Sequence, residues 1–369
     1  MPLANGNSSL IALLGRRDQP TDAVRDYCHW LTEALARRGL RMEIGEVSWQ
    51  NQGVSSALVL LWRKSKSWRG RWILVQYTAL SWSRRGFPLM FLILLWLLRL
   101  RKVHIAVVFH DPSTYSGKHF VDSARSFCQR WVMRCSYWIA KRSILTIPLE
   151  LVSWVPRNPS KATFIPVGSN IPPLVRSNSN GQRQKTNAKT IAVFSMTDGG
   201  IAPEIDDIAF VVKSIGKQVQ RSRLITLGRG SKRAEEALRQ RLAGAQAEFV
   251  ALGLLSREEV SRTLAASDVL LFTRGSLSTQ RGSAIAGIAC GLPIVAYSDS
   301  KERPPLSEAG ILFVPQGDKE QLSVAVARVL TDTQLWEHLH RLSLRAQEKY
   351  FSWDVIADKF LKILSYASV

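Results

Sequence analysis

Acidic residues and cysteines are both scarce in this chain of 369 residues. There are 29 Asp and Glu against 50 Lys and Arg, and four cysteines: Cys28, Cys128, Cys135 and Cys290. None forms a CxxC pair and no His/Cys group has zinc-ligand spacing, which excludes the common structural zinc modules. Such sparse, unpatterned cysteine usage fits a reducing cytoplasm. No D-x-D pair occurs, so a metal-dependent transfer site is not expected. No zinc-finger, RRM or helix-turn-helix signature accompanies the basic balance, which argues against nucleic acid as the partner. The opening residues MPLANGNSSL lack a basic region followed by a long apolar run, so no signal peptide is expected. No apolar run reaches the ~20 residues that cross a bilayer.

What charge there is sits unevenly. Residues 1–180 hold 25 Lys and Arg against 9 Asp and Glu, a net +16, while the remainder nets only +5. The first half therefore faces something anionic: a membrane surface, a phosphorylated substrate or nucleic acid. Two stretches interleave tryptophan with cations, WRKSKSWRGRW at 62–72 and RWVMRCSYWIAKR at 130–142. A third, Phe87–Leu98, is wholly apolar and flanked by Arg84, Arg85, Arg99, Arg101 and Lys102. Twelve such residues are either a segment lodged in a membrane interface or a buried crossover helix. The interfacial reading makes anionic lipid a partner and places the chain on the inner face of the cell membrane.

Apolar runs bounded by turn residues predict strands at 10–15, 41–48, 72–78, 103–110, 143–148 and 161–167. A second series falls at 190–196, 223–228, 247–253, 268–273, 293–297 and 311–315. Helical patterns lie between most of them, among them one capped by Thr21 or Asp22 and stopped by Gly39, and one with capping-box spacing at Ser256 and Glu259. This rhythm predicts an α/β protein with two Rossmann-like domains and a cleft between them. The polar stretch 176–190 reads as the linker. The expected domains are therefore 1–175 and 191–350, with 351–369 as a terminal amphipathic helix packing back across both.

The stretch RGSAIAGIACGLPIVAYS at 281–298 carries the most chemistry. Ser283 is expected to cap a short helix of small residues that Gly291 ends, with Pro293 opening a strand. The start of such a helix offers free N–H groups and the positive end of its dipole to a phosphate. The same residues also suit a tightly packed βαβ corner that binds nothing.

The run ACGLPIVA followed by GILFVPQGDKEQL resembles glycosyltransferase family 4, as do LITLGRGS, FVALGLLSREEV, ASDVLLF, FHDPS and FIPVGSNIP, all in register. The resemblance covers most of the chain. It implies a GT-B fold, a nucleotide-sugar donor held by the second domain, and metal-independent transfer with retention. The membrane-facing stretches above add the expectation of an acceptor that is lipid-linked or a polysaccharide, presented at the membrane. The resemblance also implies that His110 sits near the transferred sugar, donating a hydrogen bond to it or to the acceptor, and that Asn170 lies between the domains. Asp111, next to His110 at the strand end, is the second catalytic candidate.

The sequence departs from that family in three places. Ser278 and Ala286 stand where two glutamates are usual. FSMTDGG lacks the customary Arg and Lys, and Gly15 is single where two glycines are common. Arg274, Arg281, Gly282 and Ser283 supply phosphate-suited groups instead, with Gly15, Arg16 and Arg229 at further strand-to-helix turns. Glu302 or Glu308 could bond a ribose hydroxyl. The competing reading is a catalytically inactive GT-B-like protein that binds a nucleotide or a partner at a membrane.

Overall fold

The computed structural model describes residues 9–18, 21–47, 49, 53–115, 117, 119–174, 188–196, 201–216, 218–219, 221–298 and 303–365. Contacts divide the chain into two units, residues 1–167 with 353–369, and residues 168–352. Most of the expected linker lies outside the described residues.

The first unit is built on six parallel strands: β1 (Ser9–Leu14), β2 (Arg41–Glu46), β3 (Trp72–Tyr77), β4 (His104–Phe109), β5 (Arg142–Leu145) and β6 (Ala162–Phe164). Their order is β2-β1-β3-β4-β5-β6. The connections carry helices α1 (Ala23–Ala36), α2 (Val54–Lys64), α3 (Ala79–Trp82), α4 (Leu89–Leu100) and α5 (Phe120–Ile139). Strands β3 and β4 are apolar at nearly every position because helices cover both faces of a parallel sheet. Asp22 caps α1, its carboxylate accepting from the N–H groups of Val24 and Arg25 at 3.1 and 3.0 Å.

Helix α4 is a crossover helix with one face buried in the core, and its other face is apolar and exposed. Phe91, Leu94, Leu95 and Leu98 are buried in the core of the first unit. Leu89, Ile93, Trp96 and Leu100 recur at helical spacing on the outer face, 44–65% exposed. Among the described residues no helix is long and apolar enough to cross a membrane.

The second unit has six parallel strands as well: β7 (Lys189–Phe194), β8 (Ser222–Leu227), β9 (Ala247–Gly253), β10 (Val269–Phe272), β11 (Ile294–Ser298) and β12 (Ile311–Pro315). They run in the order β12-β11-β10-β7-β8-β9, so the first strand of the unit is central and the sheet grows outward in both directions. Helices α6 (Ile201–Ile215), α7 (Ser231–Arg241), α8 (Arg257–Ala266), α9 (Gly282–Ala289), α10 (Lys319–Thr331) and α11 (Thr333–Ala346) alternate with them. The capping box of Ser256 and Glu259 is formed as its spacing predicts. Helix α9 is buried from Ala284 to Ala289, and a Cβ on Gly287 would lie 2.7 Å from the Leu270 side chain. Small residues let this helix lie against the sheet.

The last helix, α12 (Trp353–Ser365), belongs to the first unit. Arg38 pairs with Asp358 and, at 2.7 Å, with Asp354, while the Trp353 ring packs on Tyr27 with centroids 5.1 Å apart.

Candidate functional site

Parallel sheets bind ligands outside the carboxyl ends of their strands, where the strand order reverses. In the second unit that point lies between β7 and β10. The residue leaving β7 is Ser195, held at φ 64, a left-handed conformation that few residues other than glycine adopt. The Arg274 guanidinium reaches across from the end of β10 and donates to the Ser195 carbonyl at 3.4 Å. Arg229 leaves β8 beside them, and its carbonyl accepts from the Met196 N–H at 2.9 Å. Its flanking glycines are there for space. A Cβ on Gly228 would meet the Phe194 ring and Ser195 Oγ at 2.9 Å, and one on Gly230 would meet the Met196 carbonyl at 2.8 Å.

The loop from Thr273 into α9 concentrates polar atoms that lack a partner within the protein. Thr273 Oγ1, Ser278 Oγ, Gln280 Oε1 and Arg281 Nε are all buried and unbonded. Buried polar groups are normally paired, so four within nine residues mark a place where a ligand would complete them. The same stretch, TRGSLSTQRGS, contains no carboxylate. At its end the start of α9 stands open: Gly282 is exposed, and a Cβ added there meets nothing within 4 Å. Among the described residues the N–H groups of Gly282 and Ser283 have no acceptor in the protein.

One expectation here is corrected. Arg281, at φ −84 and ψ 90, is the N-cap residue, and it makes no side-chain cap bond. Gly282 already has helical geometry, so the helix starts earlier than Ser283, which sits in the first turn and cannot cap it.

In the first unit the reversal lies between β1 and β3. Gly15 is buried there, and a Cβ would come within 2.5 Å of the Ser81 carbonyl, so only glycine lets this turn approach α3. The Arg16 N–H donates to that carbonyl at 2.8 Å while its side chain is exposed. His110 and Asp111 leave the neighbouring β4. Their turn is tied down by Thr146, whose hydroxyl donates to the carbonyls of Phe109 at 3.0 Å and His110 at 3.3 Å. Trp154 Nε1–H donates to Pro112 at 2.8 Å. Asp111 is exposed.

The environment of His110 fixes its protonation. Gln76, buried on β3, donates through its amide nitrogen to the Leu74 carbonyl at 3.3 Å. A carbonyl can only accept, so the atom facing it must be the NH2 group and Oε1 must face the histidine. His110 Nε2 lies 2.7 Å from that oxygen and therefore carries the proton. The ring also meets the edge of Tyr27 at 4.7 Å. Burial pushes its pKa down to about 4, so at neutral pH it is an uncharged imidazole whose Nδ1 is an acceptor. The sequence reading missed Gln76; a polar residue in the otherwise apolar run WILVQY was the available signal.

The remaining candidates separate from these groups. Glu308 is held by Lys349 at 2.7 Å, which lowers its pKa, and Glu302 lies outside the described residues. Asn170 is half-buried in the second unit. Ala286, at one position where the resembled family has glutamate, is wholly buried.

Residues 196–332, less than half of the chain, match the family model described as glycosyl transferases group 1. A sequence comparison with curated proteins finds no match. Solved structures similar to the chain include HepE from Anabaena in complex with UDP and glucose, at 15% identity and TM-score 0.68, covering 98% of this chain and 100% of that one. Sucrose-phosphate synthase from Thermosynechococcus elongatus aligns at 17% identity and TM-score 0.69, covering 98% and 99%. WaaG, a glycosyltransferase involved in lipopolysaccharide biosynthesis, aligns at 13% and 0.62, covering 96% and 99%. The fold is therefore that of GT-B proteins, two Rossmann-like units with parallel sheets of six strands each.

Proposed function

We propose that the chain is a metal-independent glycosyltransferase that moves a hexosyl group, with retention, from a nucleotide-diphosphate donor to a lipid-linked or polysaccharide acceptor at a membrane. The observation that carries this reading is the loop from Thr273 to Ser283, with its unpaired buried polar atoms, open helix start and absence of carboxylate. The family match over residues 196–332 spans this loop, and one similar structure holds UDP and glucose.

In this reading the second unit binds the donor. Breaking the bond to the nucleotide leaves negative charge on the diphosphate and an oxocarbenium-like sugar. The N–H groups of Gly282 and Ser283 and the dipole of α9 meet that charge. Arg281 adds a planar fork suited to phosphate oxygens, and Arg229 and Arg274, at the ends of β8 and β10, are further cations for the donor. These groups supply the leaving-group stabilisation that a divalent metal would otherwise give.

His110 and Asp111 act at the transferred sugar. The resemblance implied a histidine that donates. With Nε2–H turned to Gln76, the reading here has Nδ1 of the neutral ring accept a hydrogen bond from a sugar or acceptor hydroxyl instead.

The membrane side rests on the first unit. Helix α5 presents Phe120, Phe127, Trp131 and Trp138 on its outer face, 48–87% exposed, and α4 presents Ile93 and Trp96. Arg130 and Arg134 are exposed beside them. Aromatic side chains interleaved with cations suit the headgroup zone of an anionic bilayer. The reading places the protein peripherally on the cytoplasmic face of the membrane.

Thermal-shift screening against UDP-, GDP-, ADP- and TDP-sugars, followed by turnover assays, tests the proposal. Stabilisation by one nucleotide class and transfer that Arg281→Ala and His110→Ala abolish are expected. The missing glutamates, with Ser278 and Ala286 in their place, favour a second reading as an inactive nucleotide-binding relative. Stabilisation by a nucleotide without turnover on any acceptor would establish that one.

A further inference from the structure

At the amino-terminal end of the first sheet, opposite the strand ends that carry His110, lies a cavity of about 480 Å³. Its lining includes Arg99, His104, Lys141, Arg142 and Lys161, and no acidic residue. Another cavity of the same unit, about 460 Å³, balances Lys64 with Glu43 and Glu46. The difference begins in the sequence, which has no acidic residue from Val47 to His110.

Part of this charge is explained by the fold. Arg99 donates to the Ile139 carbonyl at 3.2 Å and Lys161 to the Trp138 carbonyl at 3.3 Å, so both serve the carboxyl end of α5. Each spends one donor there, whereas a guanidinium has five and an ammonium three. Lys141 and Arg142 add two more cations, with Lys141 5.5 Å from the Trp72 ring. Burial and the charge of Lys141 lower the pKa of His104, as expected inside a cation cluster.

The rim is apolar where α4 and α5 end. Leu100 is 65% exposed and Trp138 60% exposed, each next in sequence to a lining residue. We propose that this cavity binds the phosphate headgroup of an anionic membrane lipid, with Arg142, Lys141 and Lys161 on the phosphate and Leu100 and Trp138 against the acyl boundary. The proposal rests on the membrane reading above and names a discrete lipid site within it, distinct from the donor loop. A phosphomonoester fits best, since it offers close to two charges and three acceptor oxygens to several converging donors.

The test is co-sedimentation of the full chain with vesicles of phosphatidylcholine mixed with either phosphatidic acid or phosphatidylserine at matched surface charge. The wild-type protein should bind the phosphatidic acid vesicles roughly tenfold more tightly, the size expected for one or two additional cation contacts. The Arg142→Gln/Lys161→Gln double variant should lose that preference and keep its binding to phosphatidylserine. Arg130→Gln/Arg134→Gln, outside the cavity, should weaken both equally and keep the preference. Absence of a preference in the wild type, or equal weakening on both lipids by the cavity variant, would overturn the headgroup site and leave the membrane reading standing. Failure to bind either vesicle would remove both. Inorganic phosphate at 1 mM or below abolishing the preference would also overturn the lipid assignment, in favour of a free phosphate as occupant.

Discussion

The two sheets of this protein share six parallel strands and the same alternation of strand and helix, yet they spend their positive charge in opposite places. In the second unit, arginines gather at the strand carboxyl ends, where Arg274 bridges to Ser195 and Arg281 opens α9. In the first unit, cations and tryptophans lie on the outer helices and at the amino-terminal end of the sheet. The comparison teaches that a doubly wound sheet supplies the site at the strand ends, while the outer helix faces are free to be adapted separately.

The strongest way to break this contrast is Arg281→Ala. Among the described residues the Arg281 side chain has no hydrogen-bond partner, and its backbone bonds survive truncation, so Tm should change little. Loss of a phosphate-binding fork should lower kcat/KM for sugar transfer by a hundredfold or more, about 3 kcal/mol. Unchanged kinetics would show that the charge in the second unit is idle.

The next test concerns His110, whose folded pKa of about 4 lies below its unfolded value near 6.5. Between those values the unfolded chain binds more protons, so stability should fall as pH drops from about 6.5 to 4. The loss is on the order of 2–3 kcal/mol, and His110→Gln should flatten it in a series of melting curves. Gln76→Glu should raise the His110 pKa, read by NMR titration, because a carboxylate would favour the imidazolium. A His110 titration unmoved by that change would remove Gln76 as the group that sets the tautomer.

Gly15→Ala sharpens the comparison on the side of the fold. Its Cβ would press on the Ser81 carbonyl, costing about 2 kcal/mol, seen as a lower denaturation midpoint. Gly282→Ala, in open space with helical geometry, should leave stability nearly unchanged. Thus two glycines grouped as donor-binding candidates are expected to behave differently.

The smallest effect is expected on the outer helices. Trp131→Ala or Trp138→Ala should weaken binding to anionic vesicles by about fivefold each, near 1 kcal/mol, without lowering Tm. A clear loss of Tm would assign these half-exposed rings to the core instead.

Much of this was legible in advance. The twelve described strands lie within a few residues of the predicted ones. The central ones, such as β3 and β4, are legible because a strand covered on both faces has no polar side to interrupt its run, while the edge strand β2 carries charged, exposed positions. The cap at Asp22 and the capping box at Ser256 follow from local hydrogen-bonding chemistry. Ser283 is not the cap, because the turn before it, closed by the Arg281 N–H on the Ser278 carbonyl, lets Gly282 enter the helix first.

Sequence alone determined the two-sheet architecture, the basic first half and the carboxylate-free, arginine-bearing run before α9, since periodicity and charge are properties of the chain itself. Tertiary structure decided which of those residues meet. The pairing of Gln76 with His110 across neighbouring strands, the bridge from Arg274 to Ser195 and the gathering of Arg99, Lys141 and Lys161 each join segments far apart in the chain. Strand order sets those meetings, and it arises from packing the whole sheet, which no local pattern encodes.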